Sequence, residues 1–368
     1  MDNTERIDLL NEVPHRVEAL LGEFFEQRNI PKYRVQQALS WIYERDATGF
    51  AEMTDLPLKL REQLAEAFDF TSPAAARVEV SQDGTAKHLW RLHDGELIES
   101  VLIPVRDRLT LCMSSQAGCA MACTFCATGW SGYRRNLTPA EIVAQFRGAR
   151  RWAREQERGP ITNIVYMGMG EPLMNRKAVM RSLTLLNRAY AFGARRITVS
   201  TVGIVPGILE LAERPEQFRL AVSLHAPNHE LREKIVPIEK KYPLPELLDA
   251  LRKFEAAGGR RITFEYVMID GVTDGSDLAY QLADLVSEFG AHVNLIPYNP
   301  IPGPEWRPSR RDQVTRFMEI LESRGVRTSV RGPRGRDIAA ACGQLRAEHE
   351  MTAPKPYVKF VELTRRSA

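Results

Sequence analysis

Residues 119–126 read CAMACTFC, which places three cysteines at the spacing C-x-x-x-C-x-x-C in a chain of 368 residues with only five cysteines. A structural zinc site usually requires four ligands, so the three thiols of this segment fall one short. A [4Fe-4S] cluster held by three thiolates instead leaves one iron open to a small chelating molecule. The spacing therefore favours an iron–sulfur cluster with Cys119, Cys123 and Cys126 as ligands.

The composition is typical of a globular protein, with 44% hydrophobic and 26% charged residues, and it is sufficient for a large core. The sequence contains no run of eighteen apolar residues, and its first twenty residues carry acidic groups but no hydrophobic signal core. We therefore expect neither a membrane span nor a secretory leader, and a cytoplasmic location. The odd number of cysteines fits a reducing compartment.

The net charge of +3 is unevenly distributed, because residues 1–70 hold 14 acidic against 8 basic side chains. The basic excess therefore lies in the later part of the chain. Two arginine-rich stretches, residues 133–159 and 324–336, suggest a polyanionic partner such as RNA. On charge alone, a solvated arginine-rich surface is the favoured explanation.

Residues downstream of the cysteine segment alternate between strand and helix patterns. The predicted strands are ITNIVYMG, RITVSTVG, FRLAVSLHA, RITFEYVMI, HVNLIPYNP and VRTSVR. The predicted helices between them include AVMRSLTLLNRAYA, PLPELLDALRKFEAA and QVTRFMEILES. Such alternation predicts a parallel sheet or barrel, with ligands bound where the strands end.

Two smaller units precede this region. Apolar residues at helical spacing predict helices from Val17 to about Phe68, interrupted at Pro57. A two-residue alternation around Asp83 and Gly84 then predicts a β-hairpin or short meander. The sequence LTPAEIVAQ carries a capping box and predicts a helix that starts at Thr138.

Six collinear segments resemble the RlmN/Cfr family of radical S-adenosylmethionine (SAM) enzymes, which methylate adenosine in RNA. They are residues 111–142, 166–175, 197–203, 223–238, 294–303 and 334–345, and residues 33–64 are similar to the accessory domain of that family. The resemblance implies a partial TIM-type (βα)6 barrel with a small N-terminal helical domain and a β-hairpin extension. We expect an RNA-binding helical domain at 1–75, a β extension at 76–106, the methyltransferase core at 107–345 and a tail at 346–368.

The family resemblance also implies roles for the remaining two cysteines. Cys342 would accept a methyl group from one SAM, and a second SAM cleaved at the cluster would supply a radical that activates this group. After the methylene adds to the adenine, Cys112 would attack the sulfur of Cys342, so that a transient disulfide forms as the product leaves. From the residues alone, an inert buried thiol is the favoured interpretation of each of these two cysteines.

Glu99 matches the general base of the family, which takes a proton from the adenine adduct. The family members that modify carbon 2 resemble this chain in having Glu here, whereas those that modify carbon 8 tend to have Gln. Without the resemblance, a glutamate in an alternating strand would be expected to face solvent.

The resemblance further implies SAM contacts, and Phe125 is expected to pack near the adenine of SAM. The predicted SAM-binding residues are Gly170, Glu171, Ser200, Ser223, Leu224, His225 and Asn299. All are expected near the ends of predicted strands, although the serines could simply end strands and the histidine could be a core residue.

The sequence thus predicts a radical SAM methyltransferase that modifies carbon 2 of an adenosine in 23S rRNA, and also in tRNA. It would use one [4Fe-4S] cluster, two SAM per turnover, an external electron donor and a disulfide reductant, and we expect a monomer. A carbon-8 methyltransferase and a non-catalytic, metal-containing RNA-binding protein are the alternatives.

Overall fold

A computed structural model describes residues 6–70, 74–258 and 261–345. The helices are α1 (Pro14–Glu26), α2 (Tyr33–Tyr43), α3 (Leu58–Ala67), α4 (Ala127–Trp130), α5 (Pro139–Glu155), α6 (Arg176–Thr184), α7 (Val205–Ala212), α8 (His229–Ile235), α9 (Leu244–Ala256), α10 (Ser276–Val286) and α11 (Arg311–Ser323). The first eight strands are β1 (Ile7–Asp8), β2 (Phe68–Asp69), β3 (Ala74–Val80), β4 (Ala86–Arg91), β5 (Leu97–Val105), β6 (Arg108–Cys112), β7 (Gln116–Gly118) and β8 (Tyr133–Asn136). The last six are β9 (Asn163–Tyr166), β10 (Ile197–Thr201), β11 (Arg219–Ser223), β12 (Thr263–Met268), β13 (His292–Pro297) and β14 (Arg327–Val330).

The N-terminal part consists of α1–α3 and a short parallel pair formed by β1 and β2. Its helices bury one apolar face, on which Phe24 meets Phe68 edge to face at a centroid distance of 5.2 Å. Arg150 on α5 binds Asp46, which follows α2, with Nε 2.7 Å from the carboxylate. The helices predicted between Val17 and Phe68 are confirmed, and this buried contact connects them to the rest of the protein.

Ten strands form the main sheet in the order β14-β13-β12-β11-β10-β9-β6-β5-β4-β3. Strand β6 and strands β9 to β14 are parallel, as the alternating strand and helix pattern predicts. All six strands predicted downstream of the cysteines are present. The predicted β-hairpin is a meander of β3, β4 and β5, and it pairs with β6, so it continues the same sheet.

The sheet curves around one cavity. Residues from β5, β6 and β9 to β13 line this cavity, as does Arg331, which directly follows β14. A flat sheet could not bring so many strands to one space, which agrees with the predicted partial barrel.

Two local features bear on the helix predictions. The capping box at α5 is confirmed, because Thr138 Oγ1 accepts from the Glu141 backbone at 3.1 Å and the Glu141 carboxylate accepts from the Thr138 backbone at 2.9 Å. The helix predicted from residue 178 continues beyond α6 as a π-helical segment, Leu185–Ala189. No helix in the described ranges is both long and apolar enough to cross a bilayer.

Candidate active site

The cysteine segment forms a loop between β7 and β8, which pair with each other in antiparallel orientation. Gly118 ends β7 with φ +74°, and a Cβ atom there would lie only 1.9 Å from the carbonyl oxygen of Gly132. The next residue, Cys119, donates its backbone N–H to that oxygen at 2.9 Å. Only glycine allows this close approach, which brings together the two ends of the loop that carries Cys119, Cys123 and Cys126, called the cluster loop below.

All five cysteines line the same cavity, which has a volume of about 160 Å³. Burial raises the pKa of Cys119 to about 12, and burial together with repulsion from Cys126 and Cys119 raises the pKa of Cys123 well above its ordinary value. Three thiolates lining one cavity need a cationic partner, and Cys123 among them is buried. The predicted ligands thus lie together, and their chemistry fits a cluster.

The arrangement of these thiols suits a cluster better than a single ion. No three His, Cys, Asp or Glu side chains among the described residues converge closely enough to hold one metal ion. In an iron–sulfur cluster each thiolate binds a different iron, so convergence on one point is not required.

The loop after β9 approaches the cluster loop through Gly170, which has φ +95°. A Cβ at this position would lie 2.5 Å from Cβ of Gln116, so the backbone here must belong to glycine. The adjacent Glu171 is buried, and burial raises its pKa to about 7. Its Oε1 accepts from Leu173 N at 3.0 Å and its Oε2 from Val202 N at 2.9 Å. Glu171 therefore ties two strand-end loops together at the cavity wall.

His225 follows β11 and faces the cavity in a left-handed conformation, with φ +61°. Its Nδ1 lies 3.1 Å from the backbone N of Val267 and accepts that hydrogen bond. Its ring lies against Phe125 at a centroid distance of 4.5 Å. Burial lowers the pKa of His225 to about 3, so the ring is neutral near pH 7.

Most of the other predicted SAM contacts also line the cavity: Ser200, Ser223 and Asn299 do, whereas Leu224 does not. Leu224 is fully buried in the hydrophobic core. Its carbonyl accepts from Arg232 Nε at 3.1 Å. Whether each of these residues contacts SAM stays a prediction.

The segment that carries Cys342 is attached to the cluster loop. Ala127, directly after Cys126, donates its N–H to Gly343 O at 2.7 Å, and Thr128 Oγ1 donates to Leu345 O at 2.6 Å. Of the five cysteines, Cys342 alone is exposed. The cavity walls nevertheless surround its thiol, and this enclosure raises its pKa. The fold thus brings Cys342 to the predicted cluster.

Cys112 lies at the end of β6 on the same cavity and is buried. Burial raises its pKa to about 12, and repulsion from Cys342 contributes to this rise. The two cysteines that stand outside the cluster motif are therefore neighbours. Their proximity is what the predicted disulfide requires, although their roles stay predictions.

Glu99 does not line the cavity. It lies in β5 at the same strand parity as Val101 and Ile103, which do line it, so its side chain shares their face of the sheet. Only 3% of Glu99 is exposed, and its Oε1 lies 3.3 Å from the buried Lys87 Nζ. The expectation that a glutamate in this strand faces solvent is wrong, because both faces of β5 are covered.

Two charged residues of the cavity were not predicted from sequence, Glu265 on β12 and Arg331. Glu265 is 4% exposed, and its Oε2 has no hydrogen-bond partner among the described residues. The available signal was in the predicted strand RITFEYVMI, where Glu265 is the only acidic residue and has apolar neighbours. Arg331 belongs to the arginine-rich stretch 324–336, which as a whole suggested a basic surface, so no single arginine was predicted to enter the cavity.

Comparison with protein-family models gives two matches. Residues 113–282 match the Radical SAM superfamily, and residues 16–69 match the ribosomal RNA large subunit methyltransferase N-terminal domain. The first match contains the cluster loop and the strands through β12. The second covers α1–α3.

Similar proteins extend over nearly the whole chain. The chain is 51% identical to the "Probable dual-specificity RNA methyltransferase RlmN" of Gemmatimonas aurantiaca, with 93% of each chain covered. It is 45% identical to the dual-specificity RNA methyltransferase RlmN of Geobacter sulfurreducens, with 94% of each covered. A crystal structure of a radical SAM methyltransferase from Sphaerobacter thermophilus superimposes with a TM-score of 0.88 at 47% identity, covering 93% of this chain and 100% of that one. The chain therefore belongs to the RlmN family of the radical SAM superfamily.

Proposed function

We propose that this protein is a SAM-dependent RNA methyltransferase that modifies carbon 2 of an adenosine in 23S rRNA and in tRNA. The observation that carries the proposal is the meeting of all five cysteines in one cavity of a radical SAM fold. Carbon 2 of adenine is electrophilic, so it cannot attack the methyl group of SAM directly. The residues must therefore deliver the methyl group by another route.

Cys119, Cys123 and Cys126 would hold a [4Fe-4S] cluster, which together with SAM would supply a radical able to take hydrogen from an unactivated carbon. The chain's own thiols perform the rest. Cys342 accepts the methyl group from a first SAM and, after its activation, carries the methylene to the base. Cys112, buried beside it, attacks the sulfur of Cys342 and releases the product, and an external reductant reopens the disulfide.

Glu99 is the proposed acceptor of the proton that the adduct loses, and it is the residue that favours carbon 2 over carbon 8. Its place in β5 on the same face of the sheet as Val101 and Ile103, which line the cavity, supports this role. Gly170, Glu171, Ser200, Ser223, His225 and Asn299 are the proposed SAM-binding positions. Leu224 is proposed to contribute only through its backbone, because its side chain lies in the core.

We further propose that residues 1–75 form an accessory RNA-binding domain, with a β extension at 76–106, a methyltransferase core at 107–345 and a tail at 346–368. The family match at 16–69 supports the first division. The tail lies outside the described residues. The protein would act as a cytoplasmic monomer.

The test is an anaerobic reaction of the reconstituted protein with SAM, a reductant and a ribosomal RNA fragment, followed by mass spectrometry of the nucleosides. We expect a product that co-elutes with authentic 2-methyladenosine. An 8-methyladenosine product would overturn the inference from Glu99. A protein that holds zinc and forms no product would refute the enzymatic function.

A further inference from the structure

Arg331 places an unpaired guanidinium in the cavity. Its backbone N–H donates to Leu295 O at 2.8 Å, which extends the pairing of β14 with β13 by one residue. The side chain crosses towards β9, where Nη1 lies 3.9 Å from Sδ of Met167. No carboxylate in the described ranges forms an ion pair with it, although enclosed guanidinium groups usually have such a partner.

The groups beside Arg331 that are anionic when ionised are the carboxylate of Glu265 and the thiolates of Cys112 and Cys342, all of which line the same cavity. Met167 connects these groups, because its backbone hydrogen bonds to Cys112 while its sulfur contacts Arg331. Arg331 lowers the pKa of both thiols, and this partly offsets the larger effect of burial.

Other charges act on Cys342 as well. Glu265 and Cys126 both raise the pKa of the Cys342 thiol. The remaining titratable residues of the cavity are Cys119, Cys123, Tyr166, Glu171, His225 and Tyr298. None of these is a cation near neutral pH, since burial lowers the pKa of His225 to about 3. Arg331 is therefore the permanent positive charge of the cavity lining.

We propose that the Arg331 guanidinium stabilises the thiolates of Cys342 and Cys112 and so activates both for their reactions. This inference rests on the proposed function. In the first step, Cys342 releases its proton to solvent, and a lone pair of its sulfur forms the S–CH3 bond. The bond between the methyl group and the sulfonium of SAM breaks, its electron pair remains on the sulfur of SAM, and S-adenosylhomocysteine leaves. Arg331 increases the fraction of Cys342 that begins this step as thiolate.

The same reasoning applies to the second thiol. Cys112 must ionise before it can attack the sulfur of Cys342, and it is 8% exposed where it lines the cavity. A positive charge beside both sulfurs favours the thiolate form that each of the two steps requires.

Arg334 offers a matched control in the same arginine-rich stretch. Its side chain is 43% exposed and lies 3.9 Å from Asp83 Oδ2, outside the cavity lining. Replacing Arg334 with Gln removes one positive charge from the stretch and leaves the cavity intact.

The experiment measures how fast iodoacetamide alkylates Cys342 and Cys112 as a function of pH. It uses the cluster-containing protein under anaerobic conditions without SAM or RNA, and peptide mass spectrometry resolves the two sites. We expect Arg331→Gln to move the midpoint of the Cys342 profile upwards by about one pH unit. Arg331→Lys should restore part of this shift, because it keeps the charge, and Arg334→Gln should leave the profile unchanged.

The alkylation readout does not depend on methylation, so a failed methyltransferase assay and a failed role for Arg331 are distinguishable. Identical profiles for the wild type and Arg331→Gln would overturn the proposal. So would an unchanged profile combined with weaker RNA binding, since that result would make Arg331 a phosphate contact. Thermal unfolding of the Lys and Gln variants identifies any shift that comes from misfolding.

Discussion

Asn299 holds the loop that carries Cys342, because its Nδ2 donates to the Cys342 carbonyl at 3.1 Å while its Oδ1 accepts from Arg336 Nε at 3.0 Å. Both ends of the amide are therefore used within the protein. We predict that Asn299→Ala slows methylation of Cys342 about fivefold, as expected for a lost hydrogen bond of roughly 1 kcal/mol. Intact-protein mass spectrometry at saturating SAM measures the rate.

The control for this loop is Gln344→Ala, which removes an exposed hydrogen bond to Pro300 O of 3.0 Å. It should change the rate little. If Asn299→Ala instead weakens SAM binding and leaves the rate at saturating SAM unchanged, its hydrogen bonds to the loop do not limit the methylation of Cys342.

Removal of Cys112 should trap the reaction at its covalent stage. In Cys112→Ala, Cys342 can still be methylated and joined to RNA, but no neighbouring thiol remains to release the base. We expect an RNA–protein adduct on a denaturing gel that ribonuclease removes, and none when Cys342 is also replaced by Ala. Free methylated RNA at normal turnover would exclude Cys112 from the mechanism.

The buried ion pair of Arg232 and Glu239 contacts two of the strand-end loops that carry predicted SAM-binding residues. Both side chains are fully buried, and the guanidinium also donates to the carbonyls of Val202 and Leu224, which follow β10 and β11. We predict that Arg232→Met lowers the free energy of unfolding by about 3–5 kcal/mol, because Glu239 loses its buried cationic partner and keeps only contacts to His229 Nδ1 and the Leu244 N–H. Urea titration of the purified protein measures this loss.

Arg252→Met is the matched control for that measurement. Its pair with Glu288, with Nε 2.9 Å from Oε2, has side chains that are 49% and 43% exposed. The loss there should stay below about 1 kcal/mol. Equal losses of unfolding free energy in the two variants would show that the buried pair contributes no more to stability than the exposed pair does.

Stability should fall in mild acid because of His88. This residue of β4 is fully buried, its ring stacks on Trp90 at 5.2 Å, and burial lowers its pKa from 6.5 to about 4. Only the unfolded chain binds a proton between these values, so the contribution is complete above pH 6.5 and decreases as the pH falls towards 4. The total is about 3 kcal/mol.

Urea titrations at several pH values test this, with His88→Leu as the variant and the exposed His93→Leu as the control. We expect the free energy of unfolding of His88→Leu to fall less between pH 6.5 and pH 4 than that of the wild type. Curves that stay parallel to those of the wild type would contradict the assignment to His88.

The sequence was sufficient for the strands and the cluster loop because both are local patterns. Apolar runs bounded by glycine and polar residues mark each parallel strand, and the cysteine spacing fits a three-thiolate cluster. The π-helical segment after α6 could not be anticipated, because its apolar spacing also fits an ordinary helix.

Charges that meet across the cavity were not predictable in the same way. Glu265 and Arg331 lie on different strands, and only the curvature of the sheet brings them to Cys342. The burial of Lys87 was not predictable, because a lysine in an alternating strand is normally solvated. Here the side chain is 8% exposed and lies beside Glu99.

The hydrogen bonds from Ala127 to Gly343 and from Thr128 to Leu345 also set an order of events during protein synthesis. Cys126 emerges from the ribosome long before Cys342 does, and at about 5–20 residues per second the interval is on the order of 10 to 40 s. Throughout that interval the segment that will cover the three cysteines does not yet exist. The three thiols are therefore synthesised well before the segment that is hydrogen-bonded to their loop.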